Sequence, residues 1–145
     1  MASIIALISG LLMSIQGVWN TRLTEKLGIW FANTIEQLGG LILALAILFF
    51  VRDANLTGLK SVNKIYLLSG FIGAAIVYTV IIAISKLGPA PATMLILVAQ
   101  MIGAYLIQIF GWFGEKKVPF EWMKLVGVCI ILVGIVVFQW DKGRS

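Results

Sequence analysis

Apolar residues run in five blocks along this chain, and polar residues crowd into the short stretches between them. The blocks cover about residues 4–20, 29–51, 65–85, 92–112 and 123–140. A helix needs ~20 predominantly apolar residues to cross the hydrocarbon core of a bilayer, so each block predicts a transmembrane helix. The fold class that follows is an all-α integral membrane protein, a single transmembrane domain over residues 1–145. Composition agrees: 12% of residues are charged and mean hydropathy is +1.05, whereas a soluble domain carries roughly 25% charged residues. The connections leave no room for a separate catalytic domain, which argues against an enzyme. Met1-Ala2-Ser3 lacks the basic region of a cleavable leader, so the first span is expected to be retained.

One residue breaks the pattern. Glu36 stands well inside the second block, while Glu25, Asp53, Glu115, Glu121 and Asp141 all fall in loops or at span ends. Ionisable groups in a membrane span are costly, and they mark paths for ions, protons or substrate. Glu36 lies four residues from the centre of its span, or about 6 Å at the helical rise.

Polar positions around it recur at helical spacing. Asn33, Glu36, Gln37 and Gly40 share one face of the second helix, and Ser9, Gln16 and Asn20 line one side of the first. If the two helices form a hairpin through Thr21–Gly28, Gln16 falls level with Glu36, and Asn20 level with Asn33. Gln100 lies near the centre of the fourth span, on a stripe with Ala104, Gln108 and Gly111. A lone glutamine in lipid is costly unless bonded; helix–helix bonding and ligand contact both account for it. The small residues Gly70 and Gly73 on the third helix, and Gly127 and Gly134 on the fifth, suit close helix packing, including packing against a second copy. Trp19, Trp30 and Trp140 fall at one membrane face, and Tyr66, Trp112 and Trp122 at the other. They read as aromatic belts, with Trp19 and Trp30 also placed to stack on a substrate.

Charge and rare residues narrow the chemistry. Histidine is absent and Cys129 is the only cysteine. Histidine metal sites, Ser-His triads, histidine proton relays and a disulfide within the chain are therefore excluded, and no metal or other cofactor is expected. The net charge of +5 is dispersed over every loop, so it implies membrane flanks and not nucleic acid. Lysine and arginine normally collect on the cytoplasmic side. Here one side takes Arg52, Lys60, Lys64, Lys116, Lys117 and Lys124, and the other takes Arg22, Lys26, Lys86, Lys142 and Arg144. Six against five is close to no bias. It predicts a chain that inserts both ways round and pairs as an antiparallel, ten-helix inverted dimer, with the two Glu36 side chains roughly 12 Å apart in depth.

Several stretches carry a family likeness. Leu87-Gly88-Pro89-Ala90-Pro91-Ala92-Thr93 through Gly111-Trp112-Phe113-Gly114-Glu115, then Leu125-Val126-Gly127 and Val133-Gly134-Ile135, resemble the closing helix pair of the drug/metabolite transporter superfamily. The five-span length, Ser14-Ile15-Gln16-Gly17-Val18-Trp19-Asn20 and Val98-Ala99-Gln100 are similar to its half-size YdcZ-like branch. The resemblance implies a carrier of the bacterial inner membrane, built as an antiparallel dimer and exporting small metabolites or drugs. The chain departs from that branch where Glu36 replaces a small or apolar residue, and where Gln108 stands in place of a frequent acid. A more distant likeness is to the small multidrug resistance proteins, whose membrane glutamate is on the first helix and does not align with Glu36.

These readings converge on a secondary active transporter: proton-coupled export of a small organic cation or polar metabolite by alternating access. Glu36 would bind proton and substrate in turn. Gln16, Asn20, Asn33, Gln37 and Gln100 would supply orienting hydrogen bonds, and Trp19, Trp30, Tyr78 and Tyr105 aromatic faces for a cation. The expected partners are the lipid bilayer, the small-molecule substrate, and a second copy of the chain or a paired homologous chain. Two other readings stay open: a passive small-solute or ion channel of dual topology, and a Glu36 that is permanently protonated and serves only to bond helices.

Overall fold

The computed structural model describes residues 1–51, 58 and 61–140, and every regular element among them is a helix. Five are long: α1 (Ala2–Leu27), α2 (Ile29–Val51), α3 (Ser69–Leu87), α4 (Pro89–Phe110) and α5 (Trp122–Gln139). A 3₁₀ turn, Lys64–Leu68, leads into α3, and another, Trp112–Gly114, follows α4. With the first of these turns counted into α3, all five are long and apolar enough to cross a membrane. Of the charges weighed for orientation and the acids assigned to loops, Arg52, Asp53, Lys60, Asp141, Lys142 and Arg144 lie outside the described residues.

The main departure from the apolar blocks is in α1. Its helix continues through the polar stretch Thr21–Leu27, and the expected loop shrinks to Gly28. The cause is local: Arg22, Leu23, Glu25 and Lys26 are good helix formers, and Arg22 pairs with Glu25 at 3.1 Å one turn away. Gly28 then breaks the helix at φ 82° and ψ 153°, a region essentially closed to residues with a Cβ. Gly88 adopts nearly the same conformation, φ 85° and ψ 163°, before Pro89 opens α4. Proline fits there because the first helical N–H has no partner to lose. Gly111, in the left-handed region, ends α4.

The chain forms two compact units, Met1–Lys86 and Leu87–Ser145. In the first, α1 and α2 fold back on each other and α3 packs beside them. Ala32, Ile81 and Ile84 are buried there, with Asn20, Thr21 and Asn33. Close approach of α1 to α3 depends on Gly17: a methyl group at that position would lie 2.7 Å from Ile84 Cδ1 and 3.4 Å from Val80 Cγ1. In the second unit α5 packs against α4. The Tyr105 hydroxyl accepts from Glu121 N at 2.7 Å and donates to Glu121 O at 3.3 Å, tying the start of α5 to α4. Lys124 lies 5.2 Å over the Tyr105 ring and 3.5 Å from Glu121.

Most large apolar side chains of all five helices are exposed. Lipid tails are as apolar as leucine, so nothing drives these side chains together, and small residues and polar bonds hold the helices instead. At Gly70, Gly73, Gly127 and Gly134 an added Cβ would meet no atom within 4 Å among the described residues.

Candidate functional site

The site is built where α1 and α2 leave their shared turn. Asn20 and Glu36 are each eight residues from Gly28, so the hairpin sets them level, with Gln16 one turn further along α1. Asn20 Nδ2 donates to Glu36 Oε2, and Gln16 Nε2 donates to Glu36 Oε1. Both carboxylate oxygens thus accept from amide N–H groups, an arrangement that suits the ionised form, which has acceptors only. Asn20 is 9% exposed, Glu36 is half-buried and Gln16 is exposed. No Lys or Arg pairs with Glu36 among the described residues; the ion pairs there are Arg22–Glu25 and Lys124–Glu121.

Cavities flank this bridge on two sides. A small one of about 70 Å³ lies toward α3, bounded by Met13, Gly17, Ile76, Val77 and Val80 together with Gln16, Asn20 and Glu36. A larger one of about 480 Å³ is bounded by Leu12, Ile15 and Trp19 with the same three polar residues. The carboxylate therefore borders an open groove of a size for a small organic molecule, whose apolar lining, Leu12, Ile15 and Trp19, is exposed and lies on α1 beside Gln16 and Asn20.

Other polar positions are engaged elsewhere. Asn33 makes no hydrogen bond to Asn20 among the described residues. Its Nδ2 donates to Ala74 O on α3 at 2.8 Å, and its buried Oδ1 has no hydrogen-bond partner among the described residues. The reason is the register set by Gly28, which aligns Asn20 with Glu36 and leaves Asn33 facing α3. Gln37 is exposed and makes no side-chain hydrogen bond among the described residues; the same holds for Gln100, which lies on α4 in the second unit. The hydroxyls of Ser9, Ser14, Thr21, Thr24 and Thr34 all donate to a carbonyl one turn back in their own helix.

Among the aromatic residues, Trp19 borders the larger cavity. Trp30 stacks on Tyr78 with ring centroids 4.8 Å apart, joining α2 to α3. Tyr105 belongs to the α4–α5 contact. Gly17 is the residue that sequence reasoning passed over. Its signal was a glycine directly after Gln16, within the polar stretch of α1. No three His, Cys, Asp or Glu side chains come together to hold a metal among the described residues.

Comparison with known proteins adds one finding. Residues 1–137 match the model of the family described as "Putative inner membrane exporter, YdcZ". No curated protein and no solved structure matches the chain.

Proposed function

Because this chain belongs to the YdcZ family of inner membrane exporters, in the drug/metabolite transporter group, we propose that it exports its substrate through the Glu36 site, in exchange for protons. The observation that carries this reading is the held carboxylate: Gln16 and Asn20 donate to its two oxygens beside a cavity of about 480 Å³, within a helix long and apolar enough to cross a membrane. A carboxylate in such a helix is stable only with partners. It can be neutralised by a proton or by a cationic substrate, and each excludes the other. Alternating access turns that exclusion into exchange.

The transporting unit in this reading is a pair of inverted copies. The near-equal distribution of basic residues over the two sides supports it, as do the open faces at Gly70, Gly73, Gly127 and Gly134. Alternating access then moves one copy against the other around the two Glu36 sites, one on each side of the midplane. The substrate class is a small organic cation or polar metabolite.

The test is uptake of organic cations and metabolites into proteoliposomes under an imposed proton gradient, with parent and Glu36→Gln protein. Parent activity should depend on pH, saturate with substrate and support uphill exchange. Glu36→Gln should lose the pH dependence and the coupling. Identical pH-dependent transport in both proteins would overturn the role given to Glu36, and uptake without saturation would favour a pore.

A further inference from the structure

The geometry points to protonated amines, not quaternary ammonium ions, as the cations this site selects. The inference rests on the cation-exchange reading above and adds which cation fits.

The one charged group on the larger cavity among the described residues, the Glu36 carboxylate, is a hydrogen-bond acceptor. Each Glu36 oxygen takes one amide N–H, from Gln16 or from Asn20, and a carboxylate oxygen has lone pairs for a further donor. Gln16 and Asn20 line the same cavity, and each amide has a carbonyl oxygen as well as a second N–H to offer. A primary ammonium brings three N–H donors to that set. A quaternary ammonium brings the same charge and no donor, and its methyl groups would displace water from acceptors they cannot satisfy. Sites built to bond an N–H or O–H reject analogues that lack it far more strongly than apolar pockets reject a change of size.

The aromatic side of the site leads to the same distinction. Quaternary ammonium ions are recognised by cages of aromatic faces. Among the described residues Trp19 is the one aromatic side chain on either cavity bordering Glu36. Trp30 and Tyr78 stack on each other and border neither. One indole with Leu12 and Ile15 offers a wall for a flat or short apolar body, but not a cage for the charge. The smaller cavity, at about 70 Å³, has room for a few waters and not for that body. The head group therefore sits on Glu36 and the body in the larger space.

Equilibrium binding of benzylammonium and benzyltrimethylammonium to the full chain in lipid nanodiscs tests this, with benzyl alcohol as the uncharged control for partitioning. The pH is held where the amine is protonated and Glu36 is ionised. Benzylammonium should bind about 10- to 100-fold more tightly than the quaternary ion, the ratio that one charge-assisted hydrogen bond supplies. Glu36→Gln should bring its binding down to the level of the alcohol. Equal or tighter binding of the quaternary ion, abolished by Glu36→Gln, would overturn the selectivity and leave the cation site standing. Binding of all three compounds that ignores Glu36→Gln would overturn both. The deciding comparison uses two ligands on the parent protein, so it does not depend on how well a variant folds.

Discussion

Asn20→Ala tests whether Glu36 is held as an ion. Asn20 is 9% exposed and donates from α1 to Glu36 Oε2 on α2, while Gln16 serves the other oxygen. Removing the Asn20 amide takes away one of the two donors. A hydrogen bond to a charged group contributes about 1.5–3 kcal/mol, whereas interhelical side-chain bonds in lipid average ~0.6 kcal/mol in double-mutant cycles. Glu36→Gln keeps the shape of the side chain and removes its charge, so the Asn20 bond should fall from the first range to the second. The coupling energy between Asn20→Ala and Glu36→Gln is then roughly 1–2 kcal/mol. It is read from reversible unfolding of the four proteins in mixed micelles. The sign with pH is fixed by the same reasoning. The charge-dependent part of the stability is present while Glu36 is ionised and is lost as pH falls and the carboxyl takes up a proton, so the coupling should shrink toward zero on acidification. Additivity within ~0.3–0.5 kcal/mol at alkaline pH would refute the ionised, amide-held carboxylate.

Glycine positions supply further tests, which sort by what surrounds each residue. Gly17→Val forces new atoms onto Ile84 and Val80; overpacking of this kind costs about 1–3 kcal/mol, and the melting temperature in detergent should drop. Gly28→Ala places a Cβ at φ 82° and ψ 153°, and should cost about 1–3 kcal/mol in unfolding free energy through backbone strain. Gly10→Ala is the control, since a Cβ there meets nothing within 4 Å inside α1. It should be neutral or stabilise by up to about 1 kcal/mol through helix propensity.

Much of the architecture was legible before any coordinates. Five apolar blocks became five long helices because a bilayer imposes a length and a composition that can be counted along the chain. Glu36 stood out for the same reason, as the acid that the pattern does not place at a span end. Helical periodicity also put Gln16 and Asn20 on one side of α1. What periodicity cannot supply is the length of a turn. An expected loop over Thr21–Gly28 pairs Asn20 with Asn33, whereas a break at Gly28 alone brings Asn20 to Glu36 and sends Asn33 to Ala74 O.

By itself, then, the sequence determined the class of protein, the number of spans and the presence of one acid at membrane depth, because each depends on local composition measured against the thickness of a bilayer. Only the tertiary structure decided which amides hold that acid, which glycine lets α1 approach α3, and where Trp30 and Tyr78 go. Those outcomes depend on register and contact between helices, and a shift of a few residues at the turn changes every partner. In lipid, apolar surface does not favour one helix pairing over another. The choice falls to a few polar and small side chains, here Gln16, Gly17, Asn20, Asn33 and Glu36.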